Sequence, residues 1–107
     1  MDFHELKPIY KQIIDTIYER VLTLEWKEEE RVPSVRELAA EMGVNPNTVM
    51  RAYEHLQRHN VLQNSRGVGN FVCKNARNTI MQMRRDEFIE NQLPDIFKAV
   101  LLLRRLR

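Results

Sequence analysis

The chain has 107 residues, of which 43% are hydrophobic and 30% are charged, and its formal net charge is +2. These values indicate a globular protein of one domain, with at most a short appendage. The single cysteine, Cys73, excludes an intrachain disulfide and is typical of a reducing compartment. No apolar run approaches the roughly 20 residues of a membrane span, and Asp2, His4 and Glu5 interrupt any N-terminal signal pattern. We therefore expect a cytoplasmic protein.

The charged residues are distributed unevenly along the chain. Residues 32–77 contain six basic and three acidic side chains, whereas acidic side chains are concentrated at Glu25 and at residues 28–30. The small total charge does not by itself indicate a nucleic-acid partner. The local excess of +3 is the more informative quantity, because a surface that binds phosphates must be locally basic.

The first predicted element is an amphipathic helix over residues 8–26. Isoleucine or valine recurs at every fourth position from Ile9 to Val21, which places these side chains on one line of a helix. Pro8 suits the first helical turn. The stretch EWKEEER that follows has no apolar periodicity and is predicted to be a loop.

Two short helices joined by a tight turn are predicted next. Ser34, with a glutamate three residues later, forms a capping-box pattern at the start of the first. Gly43 provides a left-handed end to that helix. Asn45 and Pro46 then fit the N-cap and first position of the second. This is the layout of a helix-turn-helix, in which the second helix enters the DNA major groove.

A β-hairpin is predicted after the helix-turn-helix. Two short apolar runs, at residues 61–62 and 71–73, are separated by the polar stretch QNSRGVGN. Gly67 and Gly69 are expected at its tip. The resulting fold class is mainly α with a small β-hairpin. It comprises a winged helix-turn-helix domain at residues 1–75 and a C-terminal helical dimerisation tail at residues 76–107.

The tail is predicted to contain two helices. The first covers residues 79–93 and is broken by Pro94, because the residue before a proline disfavours helix. Asp95 is expected to cap the second, which ends LLLRRLR. A monomer would expose an extensive apolar surface here, and a homodimer would bury it. The predicted dimerisation residues are Phe88, Leu93, Ile96, Phe97, Val100 and Leu101.

A second interpretation of the tail remains open from the sequence. Arg104, Arg105 and Arg107 follow the apolar residues, so the tail also fits a basic amphipathic helix lying on a membrane or on a partner.

Three stretches, PIYKQIIDTI, VPSVRELAAEMGVNPNTVMRAYEHLQ and RGVGNFV, resemble the GntR family of bacterial transcription regulators over residues 8–73. Only about 34 residues follow the wing, which resembles the short YtrA-type branch with a dimerising helical tail. The resemblance implies a repressor, with an operon for an ABC transporter as its target. Met50 departs from the arginine or serine that many members carry at this position.

The recognition helix offers the main candidate contacts to DNA. Arg51 can bind a guanine edge bidentately, Asn47 can bind adenine, and Thr48 can contact phosphate or a thymine methyl group. The alternative is that Asn47 and Thr48 only cap the helix and Arg51 is a solvated charge. The predicted DNA-binding residues are Ser34, Arg36, Asn45, Asn47, Thr48, Met50, Arg51, Arg66, Gly67 and Gly69.

The flanking candidates have alternatives as well. The family resemblance places a DNA-contacting arginine at Arg36, whereas Ser34 could bind phosphate, cap the helix or do both. Arg66 beside Gly67 and Gly69 could enter the minor groove, or the three could form an ordinary turn with one exposed charge.

Three other function classes have weaker support in the sequence. The histidine pair His55 and His59 has a spacing that can bind zinc, but no obvious third ligand accompanies it, so we predict no metal and no cofactor. No catalytic constellation is visible, so an enzyme is not expected. The principal alternative is a winged-helix module that binds a protein partner. The expected partners are double-stranded operator DNA and a second copy of the chain.

Overall fold

A computed structural model describes residues 7–106 of the chain. The N-terminal residues Asp2, His4 and Glu5, and Arg107 at the other end, lie outside this range. The elements in chain order are α1 (Ile9–Leu22), α2 (Val35–Met42), α3 (Pro46–Arg58), β1 (Leu62–Ser65), β2 (Gly69–Val72), α4 (Ala76–Glu87), a π-helical turn (Phe88–Gln92) and α5 (Leu93–Arg105). This order confirms the predicted mainly helical fold with a winged helix-turn-helix.

Helix α1 ends four residues earlier than predicted. Leu24 has a φ of 66°, and the backbone N–H of Trp26 donates to the carbonyl of Arg20 at 2.9 Å, so the chain reverses direction here. The reversal returns the Trp26 side chain to the core, where it is 8% exposed. The Arg20 guanidinium lies 5.6 Å from the centre of its ring.

All three predicted helix caps in the helix-turn-helix are confirmed. The backbone N–H of Glu37 donates to the Ser34 hydroxyl at 3.1 Å, and the Glu37 carboxylate accepts from the Ser34 N–H at 3.2 Å. Gly43 ends α2 with a φ of 69°, a conformation that glycine adopts without a steric cost. The Asn45 side chain accepts from the N–H of Asn47 at 2.8 Å, which starts α3.

The hairpin extends further toward its tip than the apolar runs predicted. Leu62 lies opposite Val72 and Ser65 lies opposite Gly69, so polar residues also pair through their backbones. The acidic loop before α2 closes against the same sheet. There the N–H of Val32 donates to the Asn70 carbonyl at 2.9 Å, and an isolated bridge joins Arg31 to Phe71.

One hydrophobic core joins the first three helices, the hairpin and the start of α4. Its largest fully buried side chains include Tyr53, Ile13 and Ile17, and Ala76 and Ile80 extend it into α4. On α5, by contrast, no described side chain is buried. The winged helix therefore has its own core, and α5 extends away from it.

Helices α4 and α5 form one continuous helical segment, so the predicted break at Pro94 is wrong. Gln92 and Leu93 keep right-handed helical backbone angles through the π-helical turn before the proline. Inside an α-helix, proline lacks the backbone N–H and its ring clashes with the carbonyl four residues earlier. The wider π-helical turn gives the ring room, so the helix continues through Pro94. Asp95 accordingly lies inside α5 rather than capping it. At about 1.5 Å per residue the segment is about 45 Å long.

Candidate nucleic-acid interface

Helix α3 presents one buried and one exposed side. Val49, Ala52, Tyr53 and Leu56 are buried, and Val49, Ala52 and Leu56 expose none of their surface. The exposed side chains include those of the predicted contacts Asn47, Met50 and Arg51, together with Glu54 and Arg58. The helix therefore has a mostly polar exposed face, while its other face is fixed in the core.

Tyr53 fixes α3 to the segment that precedes α2. Its hydroxyl donates to the Pro33 carbonyl at 2.6 Å, and its side chain is 2% exposed. Burial raises the pKa of the Tyr53 hydroxyl, so the group stays protonated and keeps donating. This contact sets the position of α3 relative to Ser34, which follows Pro33 directly, and relative to Arg36 in the first turn of α2.

The predicted contacts at the start of α2 are half-buried Ser34 and exposed Arg36. The Ser34 N–H and hydroxyl both hydrogen-bond to Glu37, and these bonds lower the pKa of the Glu37 carboxyl. The Ser34 side chain is therefore engaged with Glu37 in the α2 cap. Arg36 lines a shallow groove with Pro46, so it shares a surface with the start of α3.

Asn45 and Asn47 have different roles at the start of α3. The Asn45 side chain forms the cap, whereas Asn47 contributes only its backbone N–H to it. Within residues 7–106 the Asn47 side chain has no hydrogen-bond partner and is exposed. Thr48 is half-buried, and its N–H donates to the Asn45 carbonyl at 3.0 Å. The capping alternative therefore describes Asn45 but not the side chain of Asn47.

Arg51 contacts an aromatic ring of another helix. Its guanidinium carbon lies 4.3 Å from the centre of the Tyr10 ring, which is on α1. This distance is within the range of a cation–π interaction. Arg51 is exposed, but it is not a freely solvated charge as the alternative interpretation proposed.

The wing tip is a four-residue turn. The N–H of Val68 donates to the Ser65 carbonyl at 2.9 Å, and Arg66 and Gly67 are the exposed central residues. Gly67 has a φ of 78°, which explains the glycine there. Gly69 is not central in the turn, because it is the first residue of β2.

A side-chain hydrogen bond links the recognition helix to the wing. Gln57 on α3 donates to the Asn70 side chain on β2 at 2.9 Å. The wing is therefore oriented relative to α3 through Asn70, which lies one residue pair below the turn of the hairpin.

Arg31 is a basic residue near the wing that is absent from the predicted DNA-binding set. Its side chain lies over Gly69, where an added Cβ would approach the Arg31 Nε to 2.8 Å. It is also close enough to Glu37 to contribute to the lowered pKa of that carboxyl. The backbone bridge to Phe71 creates this placement, and no local sequence pattern indicates it.

The His55 and His59 ring centres lie 4.3 Å apart, and the ring planes are tilted by 44° to each other. Within residues 7–106, however, no group of three or more histidine, cysteine or acidic residues could hold a metal ion. Burial, the principal cause, and nearby positive charges lower the pKa of His55.

The predicted dimerisation residues lie along one exposed stretch at the end of the molecule. Phe88 is in the π-helical turn and Leu93 opens α5, and both are 41% exposed. Exposure elsewhere in the set reaches 62% at Phe97. No helix within the described residues is long and apolar enough to span a membrane. The other members of the set are Ile96, Val100 and Leu101, and further exposed apolar residues beside them are Ile89, Leu102, Leu103 and Leu106.

Comparison with known proteins identifies the family. The sequence profile of the bacterial regulatory proteins of the gntR family matches residues 9–72, which extends from the start of α1 to the end of β2. The chain belongs to the GntR family of bacterial transcriptional regulators. The winged helix-turn-helix is therefore the DNA-binding domain of a GntR regulator, and the family is one of regulators rather than enzymes.

Two relatives from Bacillus subtilis strain 168 are similar over much of the chain. The uncharacterized HTH-type transcriptional regulator YhcF is 40% identical over 98 residues, which cover 92% of this chain and 79% of YhcF. The HTH-type transcriptional repressor YtrA is 41% identical over 75 residues, which cover 70% of this chain and 58% of YtrA.

A solved structure extends the similarity to the helical tail. A GntR-family transcriptional regulator from Bacteroides thetaiotaomicron superposes with a TM-score of 0.79 at 41% identity. The match covers 90% of this chain and 83% of that one. The similarity therefore includes helical residues beyond the wing as well as the DNA-binding domain.

Proposed function

We propose that this GntR regulator is a homodimeric repressor that binds a palindromic operator in the bacterial cytoplasm. The observation that carries the proposal is the exposed, mostly polar face of α3. Tyr53 fixes this helix to the segment before α2, and Gln57 links it to the wing. The repressor assignment is supported by the similarity to YtrA.

In this proposal α3 reads base edges while its neighbours contact the backbone. The Asn47 amide can donate to and accept from an adenine edge, and the Arg51 guanidinium can donate two hydrogen bonds to a guanine edge. Thr48 and Met50 contact thymine methyl groups or nearby phosphates. Arg66, at the wing tip, enters the minor groove. The remaining proposed contacts hold the phosphates or allow a close backbone approach: Ser34, Arg36, Asn45, Gly67 and Gly69.

The proposed division assigns residues 1–75 to DNA binding and residues 76–107 to dimerisation. The exposed apolar side chains of α5 support it, because such a surface is buried in most stable proteins. A two-fold dimer would present two copies of α3 about 34–36 Å apart, matching half-sites in successive major grooves. The operator would then be an imperfect palindrome.

Selection of binding sites from random double-stranded DNA tests this function. We expect a palindromic motif whose half-sites are about one helical turn apart, and we expect binding to weaken steeply with salt as counterions are released. Recovery of no motif from folded protein would contradict the proposal.

Arg51→Ala should abolish specific binding and leave the fold intact, because the side chain is exposed and lies outside the core. Losing one bidentate contact in each half-site should cost about 1–3 kcal/mol per site. Operator affinity measured by fluorescence anisotropy, with circular dichroism to check folding, tests this. Unchanged affinity would exclude Arg51 as a reading residue.

Arg66→Ala should weaken binding to operator and to non-operator DNA by similar factors, unlike Arg51→Ala. The reason is that a minor-groove arginine recognises groove width and electrostatic potential more than base identity. Site selection with the variant should recover the same motif at lower affinity. A changed motif would contradict the minor-groove assignment.

A further inference from the structure

Tyr10 is the one aromatic residue within residues 7–106 whose ring contacts a proposed base-reading side chain. It is half-buried near the start of α1, and the Arg51 guanidinium lies 4.3 Å from its ring centre. Among the described residues, Arg51 has no carboxylate within ion-pair distance, although Glu54 lies only three positions further along α3. The tyrosine ring is therefore the described contact that fixes the direction of this side chain.

The surroundings of Tyr10 explain why the ring matters. A groove of about 280 Å³ beside it is lined by Lys11, Tyr18 and His55, among other residues. The same groove is also lined by Asp15 and Glu87, so it carries charges of both signs. Asp15 is paired with Lys7 at 2.8 Å, and among the described residues neither carboxylate is within ion-pair distance of Arg51. The electron-rich face of the Tyr10 ring provides the attraction that holds the arginine against α1.

We propose that Tyr10 is a positioning residue for Arg51, and that it holds the guanidinium in the orientation that reads a guanine edge. The inference rests on the proposed function of α3. A free arginine samples many rotamers, and ordering it on binding lowers affinity. An arginine already ordered by an aromatic ring forms its two hydrogen bonds with less loss of freedom. Tyr10 would thus contribute to sequence discrimination without contacting a base.

The first test compares Tyr10→Leu with Tyr10→Phe. Leucine retains an apolar side chain but removes the ring, whereas phenylalanine keeps the ring and removes only the hydroxyl. We expect Tyr10→Leu to weaken operator binding about three- to tenfold while leaving binding to non-operator DNA unchanged, and Tyr10→Phe to retain near wild-type affinity.

Tyr18→Leu is the matched control. Tyr18 is also a half-buried tyrosine of α1 beneath an arginine, because Arg84 lies 5.7 Å from its ring centre. That arginine is on α4 rather than on α3, so Tyr18→Leu should leave the ratio of operator to non-operator affinity at the wild-type value. An equal loss of this ratio in both variants would show a general effect of α1 packing and overturn the proposal.

A double-mutant cycle between Tyr10 and the base pair that Arg51 reads distinguishes a positioning role from a structural role. The base pair that Arg51 reads is the position at which Arg51→Lys loses sequence preference in site selection. On an operator changed at that base pair, Tyr10→Leu should bind as the wild type does, because the contact it supports is gone. A persistent loss on the changed operator would overturn the proposal.

Two other results would overturn it as well. Unchanged operator affinity in Tyr10→Leu would mean that the ring does not assist Arg51. Tighter binding would mean that Tyr10 holds the arginine away from DNA. Failure of the proposed function gives a different result from failure of the Tyr10 proposal. In the first case the wild-type protein itself selects no operator, whereas in the second the wild type selects an operator and only the Tyr10 variants depart from expectation.

Discussion

The winged helix-turn-helix and the final helix differ in how they are stabilised. Within the former, side chains such as Ile17, Leu38, Val49 and Leu56 are completely buried against one another. Along α5, Phe97 and Leu103 are apolar too, yet each exposes more than 60% of its surface. The first region therefore buries its apolar side chains within one chain, whereas the second requires another surface to do so.

The junction between the two regions is well defined. Ala76 and Ile80 at the start of α4 belong to the core, and Arg84 pairs with Glu19 of α1 at 2.8 Å. Beyond Arg84, every described residue of the helical segment is exposed. If two copies pair through α5, the rigid start of α4 would transmit the dimer geometry to the DNA-binding domain.

The largest expected effect comes from Val100→Glu on α5. A glutamate at this position, which is 51% exposed in the single chain, would introduce a charge into the proposed dimer interface. We expect the variant to be a monomer. Its operator affinity should fall by at least about 100-fold, because two linked half-site contacts become one. Light scattering and anisotropy measure the two quantities.

Lys98→Glu is the control for Val100→Glu. Two positions correspond to 200° around a helix, so Lys98 faces away from Val100 and borders the proposed interface only at Leu101. It receives the same new side chain. A dimer in Lys98→Glu and a monomer in Val100→Glu would assign the dimer interface to the Val100 side of α5. Dimers in both variants would contradict that assignment.

Ser34→Ala should lower the stability of the DNA-binding region by about 1 kcal/mol, because it removes the α2 N-cap. Since this cap is local, the loss should not depend on protein concentration, unlike a loss at a dimer interface. Chemical unfolding at two protein concentrations measures it. A loss of unfolding free energy that grew on dilution would contradict the view that the winged helix-turn-helix is stabilised within one chain.

The smallest effect concerns pH. Burial lowers the pKa of His55 in the folded state, so the unfolded chain takes up a proton first as the pH falls. Stability should therefore decrease as the pH falls through about 6.5, the ordinary value for histidine, and the decrease should stop below the folded pKa. His55→Gln should reduce this decrease in a thermal melt. An identical pH dependence in the variant would assign the effect to other groups.

Local signals predicted the helix-turn-helix well. The caps at Ser34 and Asn45 and the left-handed Gly43 act within a few residues, so their sequence patterns specify the observed helix starts and turn. The polar strand residues of the hairpin were missed because backbone pairing, rather than apolar alternation, holds them.

The incorrect predictions concern interactions that local patterns do not encode. Pro94 normally ends a helix, but the π-helical turn before it accommodates the ring and lets the helix continue. The placement of Arg31 over Gly69 and of Arg51 over Tyr10 brings together residues that are far apart in the sequence. Only the packed fold reveals those two contacts.

Sedimentation equilibrium of the wild-type protein tests the central claim most directly. The chain mass is 12.8 kDa, and we predict twice this mass at the concentrations that saturate operator DNA. A single-chain mass under those conditions would contradict the account, because α5 would then expose its apolar side chains without the partner that the proposed function requires.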